Sequence, residues 1–177
     1  EIEPKIAGWN EKGMSDRESW RRMGEEGFFG GDAPEEYGGA GGDFLFDAIV
    51  MEELSYLRAH ALMASLHADI CMPYITEFGT AEQKAKYLPG LVSGTVAGAY
   101  CLSETGSGSD ALGARAQATR QSDGSYVLTG EKMWITNGGF ADVFIVFAKV
   151  DGEQFTAFIV ERAWAGVSSG KEEHKLG

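Results

Sequence analysis

Two short segments carry residue types arranged for chemistry. The first is Tyr100-Cys101-Leu102-Ser103-Glu104-Thr105-Gly106-Ser107-Gly108-Ser109-Asp110. It reads as a strand running into a loop rich in Gly and hydroxyl residues. Gly lets successive backbone N–H groups turn toward one ligand and lets a phosphate approach closely, while Ser hydroxyls add donors without charge. A plain solvent loop has the same composition, so both readings stand on this segment alone. The second is Lys132-Met133-Trp134-Ile135-Thr136-Asn137-Gly138-Gly139. Read as a strand from Met133 to Thr136, it puts Trp134 and Thr136 on one side. An indole plane beside a hydroxyl suits a flat heteroaromatic ring, which one would stack on and the other hydrogen-bond. A core Trp next to an ordinary strand Thr is the competing reading.

Together the segments offer neutral donors for a pyrophosphate and a stacking plane for a ring. A β domain holding both can bind a flavin dinucleotide without a Rossmann fold. Gly106-x-Gly108-x-x-Ala111 also satisfies the G-x-G-x-x-A fingerprint. That pattern has meaning only between the first strand and helix of a parallel βαβ unit. Here helices precede it and hairpins follow, and no Gly-Lys-Ser/Thr closes a Walker loop. Cys71 and Cys101 sit in apolar surroundings and read as buried free thiols of a reducing compartment. No C-x-x-C occurs, and His60, His67 and His174 lack ligand-like spacing to either cysteine, so no metal site is expected.

These segments need elements to position them, and the chain changes character near residue 94. Ser15 with Glu18 reads as a capping box opening a helix that carries Trp20 and Met23. The Gly-rich stretch from Phe28 to Gly42 cannot continue it. Asp43 caps a second helix with Phe46, Ile49, Val50, Leu54 and Leu57 on one face. A third, apolar nearly all round, runs from about Ala61 to Phe78, kinked at Pro73 and ended by Gly79. Thr80 and Gln83 open a short helix to about Leu88, before Pro89-Gly90. Val96–Ser103, Tyr126–Thr129, Met133–Thr136, Val143–Val150 and Phe155–Val160 then read as strands, with hairpin signals at Asp123-Gly124 and Asp151-Gly152. The expected fold is α+β: an N-terminal helical bundle over 1–93, followed by an antiparallel β-barrel-like domain over 94–177.

Composition removes other classes. The chain has 177 residues, with 15 Lys and Arg against 27 Asp and Glu, a formal charge of −12. That balance repels phosphate backbones overall, so no nucleic-acid partner is expected. No apolar stretch is long and uninterrupted enough to span a bilayer, and no secretory signal pattern is present. The 25 glycines are roughly double ordinary usage, in keeping with Gly-built loops.

The two segments resemble the signature segments of the acyl-CoA dehydrogenase family, and the spacing between them fits. Pro34-Glu35-Glu36-Tyr37-Gly38-Gly39-Ala40-Gly41-Gly42 is similar to the loop ahead of that family's central helix. Gly79-Thr80-Ala81-Glu82-Gln83-Lys84 is similar to its G-S/T-x-E-Q-K step. The likeness covers essentially the whole chain. It implies FAD contacts from Tyr100, Leu102, Ser103, Gly108 and Ser109, and a flavin ring lined by Trp134, Ile135 and Thr136. Ser109 would also lie near the substrate's acyl-CoA phosphates, and residues 65–72 would help wall the acyl chain.

The implied reaction is α,β-dehydrogenation of an acyl-CoA thioester to the trans-2-enoyl-CoA, as in fatty acid β-oxidation, with electrons passed to an electron-transfer flavoprotein. A homotetramer or dimer, in bacterial cytoplasm or mitochondrial matrix, is implied with it. Ser103-Glu104-Thr105-Gly106 stands where the family usually has Thr-Glu-Pro-Gly. The loss of Pro makes that loop slightly less preorganised. The chain stops at Lys175-Leu176-Gly177, and the expectation is a truncated middle domain with the C-terminal helical domain missing and the start clipped. The family's catalytic Glu belongs to that missing domain, so no residue here is assigned as catalytic, and the chain alone is expected to be inactive. An acyl-CoA oxidase, a flavin monooxygenase relative, or a non-catalytic flavin-binding fragment are the alternatives.

Overall fold

The computed structural model describes residues 1–173 and divides into two units, the first mainly Glu1–Gly98 and the second Ala99–Lys171. His174 and Lys175-Leu176-Gly177, where the sequence reading places the break in the β domain, lie outside the described residues.

In the first unit, α1 (Ile6–Lys12) and α2 (Arg17–Glu25) meet at Asp16. Its carboxylate accepts from the Ser19 N–H at 2.8 Å and from the Trp9 indole at 2.8 Å. Asp16, not Ser15, is therefore the cap. A carboxylate is the stronger acceptor at a helix N-terminus, and the Ser15 hydroxyl instead accepts from the fully buried Trp20 indole at 3.0 Å. Asp43 caps α3 (Phe44–Tyr56) as expected, accepting from Leu45 N–H at 3.0 Å. The face proposed for its core is not buried: Phe46, Ile49 and Leu57 are exposed, and within α3 only Asp47 is buried. With apolar residues all round, spacing alone does not choose a buried side. Asp47 does, because its carboxylate accepts backbone N–H groups from Gly31 and Asp32 in the preceding loop.

The expected third helix is broken into pieces. A 3-10 turn spans His60–Leu62, Met63 takes a φ of 47°, a π-helical turn spans Leu66–Cys71, and α4 runs Met72–Phe78. Pro73 comes just after the π-helical turn, inside one run of helical backbone from Ala64 to Phe78, so its missing N–H falls where the hydrogen bonding passes from π to α. The capping box at α5 (Ala81–Val92) is present: Gln83 N–H donates to Thr80 Oγ1 at 3.2 Å and Thr80 N–H to Gln83 Oε1 at 2.9 Å. This helix runs four residues past the expected end, through Pro89. Buried Leu88, Leu91 and Val92 hold the last turn, while the residue whose carbonyl loses its partner, Ala85, faces solvent. Gly94 follows at φ 68°, where a Cβ would sit 2.2 Å from the Trp20 carbonyl oxygen. No other residue lets the chain pass α2 so closely.

The second unit is a five-stranded sheet. Its strands are β1 (Gly98–Cys101), β2 (Gln117–Arg120), β3 (Tyr126–Thr129), β4 (Val143–Val150) and β5 (Gln154–Glu161). The order is β1-β4-β2-β3, with β5 also on β4. Both expected hairpins form, antiparallel, from Gln117↔Thr129 to Arg120↔Tyr126 and from Val143↔Glu161 to Val150↔Gln154. The pairing of β2 with β4 departs from the all-antiparallel expectation: the two run parallel at Gln117↔Lys149 and Ala118↔Val150. The long excursion through β3 and residues 130–142 supplies the crossover that such a pair requires. Of the strands read from sequence, Met133–Thr136 does not form.

Candidate functional site

The loop after β1 is shaped by its own backbone. Glu104 and Ser107 exchange two bonds, N–H to O at 2.8 and 3.1 Å, closing a tight turn over Thr105-Gly106. Ser107 Oγ donates to the Asp110 carbonyl at 2.7 Å, and Asp110 Oδ1 accepts from Gly113 N–H at 3.2 Å. Only a 3-10 turn, Ala111–Gly113, follows, so the G-x-G-x-x-A match opens no Rossmann helix. A Cβ built on Gly106 or Gly108 would meet nothing within 4 Å. Neither glycine has a positive φ, so the chain's own packing gives no reason for glycine at either position. Each leaves room for a group from outside the chain.

The second segment is a turn, not a strand. Trp134 has φ 56° and Asn137 φ 63°. The left-handed region is a strained place for a bulky aromatic, costing about 1–3 kcal/mol. The alternation that was to put Trp134 and Thr136 on one side therefore does not apply. The indole stands out, 60% exposed, with Ile135 and Thr136 half-buried behind it.

Both ends of this turn are fastened. At the front, Met133 N–H donates to the Ser103 carbonyl at 2.9 Å, and Lys132 Nζ donates to the Leu102 carbonyl at 3.1 Å and to Glu104 Oε1 at 2.7 Å. At the back, the Arg162 guanidinium donates to the Ala141 carbonyl and, at 2.5 Å, to that of Gly138, and it lies over the Phe144 ring. The two sequence segments are thus direct neighbours. Leu102 and Ser103 lie at the junction, half-buried; Gly108 and Ser109 are exposed on the loop. Tyr100 stacks edge-on to Phe147 at 5.2 Å, which ties it to the sheet.

Charge is handled internally. Burial alone pushes the Glu104 carboxyl up. Bonds from Lys132 and from the Arg115 and Ala116 N–H groups outweigh that and hold it below the usual carboxylate range. Burial pushes the Cys101 thiol up to about 12, so no thiolate stands beside the site at neutral pH. Both cysteines are free and buried, as expected. Among the described residues, no group of three or more His, Cys, Asp or Glu is placed to hold a metal, and no helix is long and apolar enough to cross a membrane.

The sequence reading missed Lys132 and Arg162, and it gave Glu104 no structural role. The signal available was Lys132 as the lone charge of its motif and Glu104 as an acid set among hydroxyl residues and glycines in the other. Of residues 65–72, Ser65, Ala68 and Asp69 line a small open cleft with Val50, Met51 and Leu54, whereas His67, Cys71 and Met72 are core.

The family model for the N-terminal domain of acyl-CoA dehydrogenases matches residues 1–95, and that for the middle domain matches residues 99–177. The chain belongs to the acyl-CoA dehydrogenase family. Among relatives of that family, a probable acyl-CoA dehydrogenase of Bacillus subtilis is 53% identical over 89% of this chain and 27% of its own length. The mitochondrial long-chain specific acyl-CoA dehydrogenase of Mus musculus is 38% identical over 100% of this chain and 42% of its own. The crystal structure of an acyl-CoA dehydrogenase complexed with FAD from Bacillus anthracis superposes with a TM-score of 0.92 at 47% identity. That match covers 100% of this chain and 31% of that one. The chain thus spans well under two thirds of the acyl-CoA dehydrogenases it matches. The α+β expectation, helices followed by a sheet, is what these structures share with it.

Proposed function

We propose that this chain forms the flavin-holding part of an FAD-dependent acyl-CoA dehydrogenase, divided near residues 93 and 94 into a helical and a β domain. The longer enzyme converts an acyl-CoA to the trans-2-enoyl-CoA. The observation that carries the reading is the junction of the two segments through Met133, Ser103, Lys132 and Glu104, beside two glycines that leave open space.

On this reading the backbone N–H groups and hydroxyls from Ser103 to Ser109 hold the pyrophosphate. Neutral donors suit it, because Lys132 is already committed to Glu104. Ser109 also meets the substrate's phosphates. Trp134 stacks near the ring, with Ile135 and Thr136 bounding its edge and Tyr100 and Leu102 flanking it. Bound FAD would supply the hydride acceptor. The residues around it exclude water and orient the ring, and no side chain of this chain is assigned as the base. The electron-transfer flavoprotein is the partner, the assembly is a homo-oligomer, and the compartment is bacterial cytoplasm or mitochondrial matrix.

The test is the purified full-length polypeptide. It should carry a flavin absorption spectrum that bleaches anaerobically on adding acyl-CoA and recovers on adding electron-transfer flavoprotein. Tight NADH binding without flavin would contradict the reading, and rapid oxygen consumption would identify an oxidase or monooxygenase instead.

A further inference from the structure

Glu104 and Lys132 are 28 residues apart in the chain and form an ion pair at 2.7 Å, each side chain only 9% exposed. Glu104 Oε2 accepts from Arg115 N–H at 2.6 Å, and Oε1 accepts from Ala116 N–H at 3.0 Å as well as from Lys132. Lys132 adds the Leu102 carbonyl at 3.1 Å. One charge pair therefore joins three strands of chain: the start of the Gly-Ser loop, the approach to β2, and the start of the Trp134 turn.

We propose that Glu104 and Lys132 are positioning residues of the cofactor site, a buried ion pair that sets the Ser103–Ser109 loop against the Trp134 turn so that both engage one dinucleotide. The inference rests on the flavin reading above and deepens it. Stability alone is a poor reason for this pair. Desolvation offsets much of its attraction, and apolar residues of similar volume usually serve as well. Just behind it, Ala116 and Ala118 already pack with Ala148 and Val150 without any charge. What an apolar joint does not supply is direction. Three donors on one carboxylate, and one ammonium shared with a specific carbonyl, specify a single relative placement of the two segments.

The pairing also keeps both charges from the ligand. A free Glu104 would repel a pyrophosphate, and a free Lys132 would draw it off the loop. Tied together, they leave the Gly106–Ser109 turn as the recognition surface. Among the described residues, the Gly106 and Gly108 N–H groups donate to no backbone carbonyl.

The test uses the full-length polypeptide, stripped of flavin and titrated with FAD. Glu104→Gln, Lys132→Met and the double variant are compared with Leu128→Ala, which loosens the same sheet without touching the pair. The expected result is a Kd for FAD raised about tenfold or more in each single charge variant. The double variant should be no worse than the weaker single, because the two act as one unit. Leu128→Ala should lower the melting temperature and leave the Kd within about twofold. If both charge variants bind FAD as tightly as wild type, or if Leu128→Ala weakens binding equally, the pair is merely structural and the proposal is wrong. If Lys132→Met does not fold, Glu104→Gln, which keeps shape and an acceptor, decides the matter. Wild type that takes up no FAD overturns the flavin reading and this inference together.

Discussion

Replacing His67 with Leu should destabilise the helical unit at neutral pH and remove this group's share of its acid sensitivity. His67 is fully buried among Trp20 and Phe29, with ring centroids 5.0 and 4.8 Å away. Gly98 N–H donates to Nδ1 at 3.0 Å, so the proton sits on Nε2, which donates to the Leu91 carbonyl at 2.9 Å. Leu takes the ring acceptor from the buried Gly98 N–H, at about 1–3 kcal/mol, while the Leu91 carbonyl keeps the Gly94 N–H at 3.1 Å. It also loses the edge contacts to two rings, about 1 kcal/mol each, and regains about 2 kcal/mol as apolar burial. The net expectation is a loss of about 2 kcal/mol near neutral pH.

Burial pushes the imidazole down to about 4 from 6.5. Between those values the unfolded chain binds a proton that the folded one refuses, so this group's contribution is complete above pH 6.5 and is lost as pH falls toward 4. Moving from about pH 7 to about pH 5 removes about 2 kcal/mol of stability through His67. Urea unfolding of wild type and His67→Leu at both pH values checks this, and the gap between them should narrow by about 2 kcal/mol at the lower pH. A gap that stays constant, or a variant as stable as wild type near neutral pH, would refute the argument.

Asp69→Asn should shift pH dependence the opposite way. Burial first, then Asp47 and Asp32, raise its carboxyl to about 7, so the folded state holds a proton that the unfolded state has released. Wild type therefore gains from acidification through this group. The variant should lose that gain, about 1 kcal/mol after allowing for partial solvation, read by the same unfolding curves. Gly108→Val should weaken FAD binding at least about tenfold in the full-length protein while leaving the melting temperature almost unchanged, since the added side chain meets only open space. Arg162→Lys should lose the fork that holds Gly138 and Ala141, loosening the Trp134 turn. Faster hydrogen exchange at residues 138–141, with β4 and β5 still protected, is the expected signature. Cys101 should resist alkylation at about pH 8 in the folded protein and react on unfolding, because a thiol held near 12 presents almost no thiolate.

Sequence alone determined what depends on neighbours within a few residues or on an ordered set of short motifs. The Thr80–Gln83 box, the Asp43 cap and the two hairpin turns are local arrangements, and each appears as read, although β2, the first strand of one hairpin, was not legible in the sequence. The family followed from motif order, which needs no coordinates. Tertiary structure decided where local preference was overruled or silent. Met133–Thr136 has strand-like composition, yet Lys132 on Glu104 at one end and Arg162 at the other bend it into a turn with Trp134 at φ 56°. The apolar residues of α3 are spread over every side of the helix, so its buried side was chosen by a carboxylate meeting loop N–H groups, not by periodicity. The parallel pairing of β2 with β4, and the ion pair between residues 104 and 132, join parts of the chain more than 25 residues apart. Contacts at that separation leave no periodic trace in sequence, because their energy is settled only when the sheet closes and water is expelled from between them.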